Sequence, residues 1–272
     1  MNKLGIIAGG GELPARVIEA CRAEGRRFFV LALEGQADPA LVAGIDHAWV
    51  RLGAAGEAIE RLRAAGVEEI VMAGKVTRPG LKELRPDLKA MALMTKAGAG
   101  ALGDDGLLKA VVTSLENEGF RVRGVDELID GLLAREGLYG RHRPDAQAKS
   151  DIARGIAVVQ ALGAVDVGQA AVVQQGIVLG VEAAEGTDGL LARCAGLRRG
   201  GGGGVLVKLK KAQQERRVDL PTLGPNSVAA AAQAGLCGIA FEAGGCLVLD
   251  AAKFVRAADE AGIFLLGLSL PE

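Results

Sequence analysis

Leu4-Gly5-Ile6-Ile7-Ala8-Gly9-Gly10-Gly11-Glu12-Leu13-Pro14-Ala15 decides how the first half of this chain is read. A short apolar run stops at three glycines, and a helical pattern opens directly beyond them. Pro14 suits a first helical turn, where a missing N–H costs little. Strand, tight turn and helix in that order make one βα unit. Outward from it the alternation repeats. A helix is expected over 12–24, stopped by Gly25, and further helices over 56–65, 81–95, 104–118 and 126–135. Strands are expected at 4–8, 28–33, 47–51, 69–73 and 121–125. Such alternation implies a Rossmann-like parallel sheet with helices on both faces.

The polar segment Glu136-Gly-Leu-Tyr-Gly-Arg-His-Arg-Pro-Asp-Ala-Gln-Ala-Lys149 is the best domain boundary. The expected organisation is therefore α/β throughout. Residues 1–135 form a Rossmann-like domain, 136–149 a linker, and 150–272 a second, mixed α/β domain. In that second half, helices are expected at 150–162, 186–197, 227–234 and 251–261. Strands are expected at 171–173, 177–181, 205–208, 238–241, 246–249 and 263–268. No fixed-period repeat is present, and Gly200–Gly204 is the only low-complexity piece.

Composition narrows the function. The 272 residues are 50% hydrophobic but only 3% aromatic, so the core is aliphatic and large. Too few rings remain to stack single-stranded nucleic acid. Lys and Arg number 32 against 33 Asp and Glu, a net charge of −1, so no basic field draws in nucleic acid or anionic lipid. His47 and His142 stand alone, which excludes histidine-rich zinc sites, and no Gly-x-Ser-x-Gly elbow accompanies them. Cys21, Cys194, Cys237 and Cys246 show no Cys-x-x-Cys spacing and read as reduced core thiols of a cytosolic protein. Glu12 ends the first apolar run too early for a signal segment. The weakly charged stretch 155–181 carries Asp166 and four glutamines and is a poor membrane helix.

Several clusters have residues suited to chemistry. The turn Gly9-Gly10-Gly11 either cradles a phosphate on backbone N–H groups or is a plain tight turn. It lacks both the full dinucleotide fingerprint and the Gly-Lys-Ser of a phosphate loop. Glu12 beside it repels phosphate and suits a sugar hydroxyl or a metal. Lys75 and Arg78, after the fourth strand, fall at the carboxyl end of the sheet, where open α/β folds bind ligands. They serve an anionic substrate or belong to a solvated loop. Asp104 and Asp105 open a helix, as caps or as partners of Mg²⁺. Thr187 or Asp188 fits a helix N-cap. Asp219 precedes Pro221, Gly224 and Pro225 on a stiff turn beside Arg216 and Arg217, a carboxylate preorganised for metal or water activation, or a structural cap.

Six motifs occur in order: Gly-Gly-Gly-Glu-Leu-Pro at 9–14, Ala-Gly-Lys-Val-Thr-Arg-Pro at 73–79, Gly-Asp-Asp-Gly-Leu-Leu at 103–108, Glu-Gly-Thr-Asp-Gly-Leu-Leu-Ala-Arg-Cys-Ala-Gly-Leu at 185–197, the run 203–224 containing Asp219-Leu220-Pro221, and 234–245. Together they resemble the LpxI family of UDP-2,3-diacylglucosamine pyrophosphatases, over nearly the whole chain. The resemblance implies a two-domain hydrolase of lipid A biosynthesis that holds its substrate between the domains. It would cleave the pyrophosphate of UDP-2,3-diacylglucosamine to UMP and 2,3-diacylglucosamine 1-phosphate (lipid X), with Mg²⁺, working in the cytoplasm and peripherally on the inner membrane. A homodimer is the assembly to test, and no nucleic-acid partner is expected.

By that resemblance Asp219 is the catalytic residue and a metal ligand or general base. Gly10, Gly11, Glu12, Leu13, Gly74, Lys75 and Val76 lie near the nucleotide or phosphate. Asp104, Asp105, Gln174, Thr187, Asp188, Lys208 and Thr222 are further substrate contacts. Two positions depart from the family pattern: Glu215 stands where aspartate is expected, and Ser227 where threonine is. Two other readings stay open, an NAD(P)-dependent oxidoreductase suggested by the glycine turn and Glu34, and a non-catalytic nucleotide-sugar binder.

Overall fold

The computed structural model describes residues 2–77, 84–97 and 104–270. They form two compact units, Met1–Asp130 with Glu215–Asp219, and Gly131–Gln214 with Leu220–Glu272.

The first unit runs β1 (Leu4–Ala8), α1 (Leu13–Ala23), β2 (Phe28–Leu33), β3 (His47–Val50), α2 (Ala55–Ala64), β4 (Glu69–Ala73), α3 (Leu88–Ala97), α4 (Asp104–Asn117) and β5 (Arg121–Arg123). Its sheet has the order β3-β2-β1-β4-β5, and every neighbouring pair is parallel. This is the doubly wound arrangement. Alternation on the strands divides the core. Leu31, Leu33, Ile70 and Val122 pack with Ile59, Leu62, Val112 and Leu115 of α2 and α4. Leu4, Ile6 and Ala8 are buried along with Val17, Ile18 and Cys21 of α1. Part of the helix expected over 81–95 lies outside the described residues. Within them the expected helix is broken: residues 85–87 are not helical, with Arg85 at φ +40° and Pro86 next to it, and α3 starts only at Leu88, where the preceding Asp87 accepts the Ala90 N–H at 2.8 Å.

The second unit continues with β6 (Gly137–Tyr139), α5 (Ala146–Ala164), β7 (Ala170–Gln174), β8 (Ile177–Val181), α6 (Gly186–Ala195), β9 (Val205–Lys208), β10 (Thr222–Leu223), α7 (Pro225–Gln233), β11 (Gly238–Glu242), β12 (Leu247–Val248), α8 (Ala251–Ala261) and β13 (Phe264–Leu268). Its main sheet is mixed, ordered β6-β13-β11-β9-β7-β8, with β9, β11 and β13 parallel, and β6 and β7 antiparallel to their neighbours. Val205 and Val207 pack on Ile152 and Val159 of α5, while Leu206 between them faces Leu190, Val228 and Phe254. Both faces of this sheet are therefore covered, which explains strands that read as continuous apolar runs.

Three expectations are corrected. Residues 126–135 are not a helix: only a 3₁₀ turn forms at Val125–Glu127. Beyond Gly131 the chain is extended, because Ala134 N–H donates to Cys246 O and Val248 N–H to Leu132 O, each at 2.8 Å. The segment 136–149 is no linker, since Gly137–Tyr139 is an edge strand antiparallel to β13 and Asp145 caps α5. Residues 215–219, expected in the second domain, group with the first unit.

Candidate active site

At the carboxyl end of the first sheet, the turns after β1 and β4 lock together. Gly10 and Lys75 exchange backbone hydrogen bonds, both 2.8 Å, and Gly9 N–H donates to Ala73 O at 2.9 Å. The approach is too close for side chains. A Cβ on Gly9 would lie 2.6 Å from Lys75 O, and one on Gly74, at φ +97°, 2.6 Å from Gly10 O. These glycines are thus demanded by backbone contact. Gln36, following β2, clamps the same rim: its Oε1 accepts Thr77 N–H at 2.8 Å. Glu12, Gly11 and the side chains of Lys75 and Val76 are exposed, and Leu13 is half-buried. Glu12 precedes α1 without making a side-chain cap. Asp104 is the first residue of α4 and Asp105, the second, is buried. Arg78 lies outside the described residues.

Asp219 ends a turn built into this unit. Val218 and Asp219 N–H groups both donate to Glu215 O at 3.1 Å. Arg217 grips both oxygens of Glu215 and reaches Glu116 on α4, and Arg216 faces Asp126 at 3.7 Å. The Arg217 guanidinium holds the Glu215 carboxyl below the usual range. Val218 packs on the core of the first unit. Asp219 itself is half-buried.

In the second unit a chain of polar contacts lies at the carboxyl ends of β8 and β9. Lys208 ends β9, and its Nζ donates to Thr187 Oγ1 at 2.9 Å and to Thr222 O at 3.4 Å. Thr187 Oγ1 donates to Glu182 Oε2 at 3.3 Å. Lys208 and Glu182 are both buried. Burial pushes the Glu182 carboxyl up, against the opposing pull of Lys208. Three residues expected in the site, Thr187, Lys208 and Thr222, are thus brought together, and Glu182 joins them unforeseen. Thr187 does not cap α6: Glu185 occupies the N-cap, and Asp188 is exposed in the first turn. Gln174 is not part of this cluster. It ends β7, which runs antiparallel to β9 with Ala170 opposite Lys208, so it stands at the opposite end of the strands. There it accepts Arg199 N–H at 2.9 Å and donates to Gly202 O at 2.6 Å, holding the glycine-rich loop.

Comparison with known proteins decides the family. The model of the LpxI N-terminal domain matches residues 3–132, and that of the LpxI C-terminal domain matches residues 135–266. The chain belongs to the LpxI family. The UDP-2,3-diacylglucosamine pyrophosphatase LpxI of Caulobacter vibrioides is 41% identical over 281 residues, spanning 100% of this chain and 99% of that protein. Among solved structures, CobK precorrin-6A reductase aligns over 100% of this chain and 89% of its own at 11% identity, with a TM-score of 0.33.

Among the described residues, no three His, Cys, Asp or Glu side chains converge where they could hold a metal ion. Mg²⁺ commonly keeps waters and takes one or two carboxylates together with substrate phosphates.

Proposed function

We propose that this chain hydrolyses the pyrophosphate bond of UDP-2,3-diacylglucosamine, giving UMP and 2,3-diacylglucosamine 1-phosphate in lipid A biosynthesis. The supporting observation is 41% identity along the whole chain to a protein named for that activity. The chemistry of the residues agrees with it. Water adds to one phosphorus and the bridging oxygen leaves with the other phosphate. Asp219, on a turn braced by Glu215 and Arg217, supplies the carboxylate that serves the water. Bound with the diphosphate, Mg²⁺ would offset the charge developing on its oxygens. Lys208, buried and hydrogen-bonded to Thr187 and to the Thr222 carbonyl, supplies positive charge for an anionic substrate.

The chain would take its diacylated substrate from the cytoplasmic face of the inner membrane as a peripheral protein. Among the described residues no helix is long and apolar enough to cross a membrane. Release of UMP from UDP-2,3-diacylglucosamine by the purified chain, with Mg²⁺ and again with EDTA, tests the proposal. Release that stops with EDTA supports it, and no release under either condition refutes it.

A further inference from the structure

Lys208 is a buried ammonium whose hydrogen bonds go to neutral oxygens, Thr187 Oγ1 and Thr222 O. A hydroxyl has one proton to give. Thr187 gives it to Glu182, so the direction of the chain is set: Lys208 donates to Thr187, and Thr187 donates to Glu182. An ammonium removed from water with only neutral acceptors is costly unless a counter-charge stands near. Glu182, one hydroxyl away, is that counter-charge. Its position is fixed by the backbone, because Glu182 N–H donates to Ala170 O at 2.8 Å, next to the pairing of Ala170 with Lys208.

We propose that Glu182 is a positioning residue which, through the Thr187 hydroxyl, holds the Lys208 ammonium in place for the diphosphate of the substrate. The diphosphate in this statement rests on the function proposed above; the coupling of Glu182 to Lys208 does not. Burial, with Glu185, pushes the Glu182 carboxyl up overall, against the opposing pulls of Lys208, the Thr187 bond and Lys211. On its other side, Lys208 neighbours Cys246, whose thiol is also near Glu242 and Lys210, a pair joined at 3.2 Å.

The test is a pH titration of the full chain carrying lysine labelled at Cε, followed by NMR, with the Lys208 signal assigned by its loss in Lys208→Arg. Removing the negative charge withdraws support from the ammonium, so Glu182→Gln lowers the Lys208 midpoint. Thr187→Val lowers it too, and Thr187→Ser restores it. In hydrolysis assays Glu182→Gln and Thr187→Val each raise KM about tenfold, and together they do no more than either alone, as one relay requires. A folded Glu182→Gln with an unchanged Lys208 midpoint overturns the proposal. If Glu182→Gln does not fold, the Thr187 pair decides: equal midpoints in valine and serine variants overturn it. A Lys208 midpoint that falls in Glu182→Gln, when the wild type itself cannot cleave UDP-2,3-diacylglucosamine, supports the coupling and refutes the diphosphatase function alone.

Discussion

Arg217 holds both carboxylate oxygens of Glu215, Nε to Oε1 at 2.9 Å and Nη2 to Oε2 at 3.0 Å, two residues before Asp219. Because Asp219 N–H bonds Glu215 O, this fork orients the backbone that carries the aspartate. Lysine lacks the planar fork. Arg217→Lys is therefore expected to lower kcat roughly tenfold through misplacement of Asp219, with the fold retained. Steady-state kinetics alongside circular dichroism checks this.

The same pair sets a pH dependence. Arg217 depresses the folded-state pKa of Glu215. A depressed carboxylate stabilises the fold above its ordinary value, about 4.3, and that stabilisation is lost as pH falls through the lowered value. Unfolding midpoints measured from pH 7 down to 3 should converge for wild type and Arg217→Ala only at the acid end. A constant gap across the range contradicts this assignment.

The glycine rim makes a stability prediction. Gly74 sits at φ +97° with Gly10 O where a Cβ would go. Gly74→Ala meets backbone strain and a clash with a main-chain atom, so a loss of about 1–3 kcal/mol is expected by denaturant titration. Gly11, at φ +86° with open space around its Cβ position, should lose less, about 1 kcal/mol on alanine substitution. Equal losses at the two positions would show that the backbone contact is unimportant.

Much of this architecture was legible locally. The strands at 28–33 and 69–73 and the helix at 251–261 announce themselves by apolar runs, alternation and glycine stops, and the structure places them there. The rest depends on partners distant in sequence. Residues 132–134 carry a helical composition but lie along Cys246 and Val248, more than a hundred positions away, and that pairing prevails over local propensity. Residues 215–219 leave their sequence neighbours for the first unit through Arg217, Glu116 and Val218, which no local pattern discloses. Lys208, Thr187 and Thr222 stood in recognisable motifs. Glu182 is one acid after an apolar strand, and its meaning appears only once Thr187 folds back over it. The partners of Gln174, the Arg199 and Gly202 backbone, lie in a glycine-rich loop beyond the next helix and could not be read from the sequence.

Thiol chemistry checks the core. Burial pushes the Cys246 thiol up to about 12 and the Cys237 thiol to about 11. Both stay protonated at neutral pH, so they are poor nucleophiles. Ellman's reagent at pH 8 should leave activity unchanged, and Cys21, Cys194 and Cys246, all buried, should react only after denaturant is added. Rapid reaction of those three in the native protein would contradict their burial.

The most direct measurement is hydrolysis of UDP-2,3-diacylglucosamine in ¹⁸O-labelled water by wild type and Asp219→Ala side by side, with products weighed by mass spectrometry. Wild type should yield UMP and 2,3-diacylglucosamine 1-phosphate, one of them bearing the label. Asp219→Ala, still folded, should turn over at least ~100-fold more slowly, about 2.7 kcal/mol of transition-state stabilisation. Equal rates for the two proteins would remove Asp219 from the chemistry, and intact substrate with wild type would remove the hydrolysis itself.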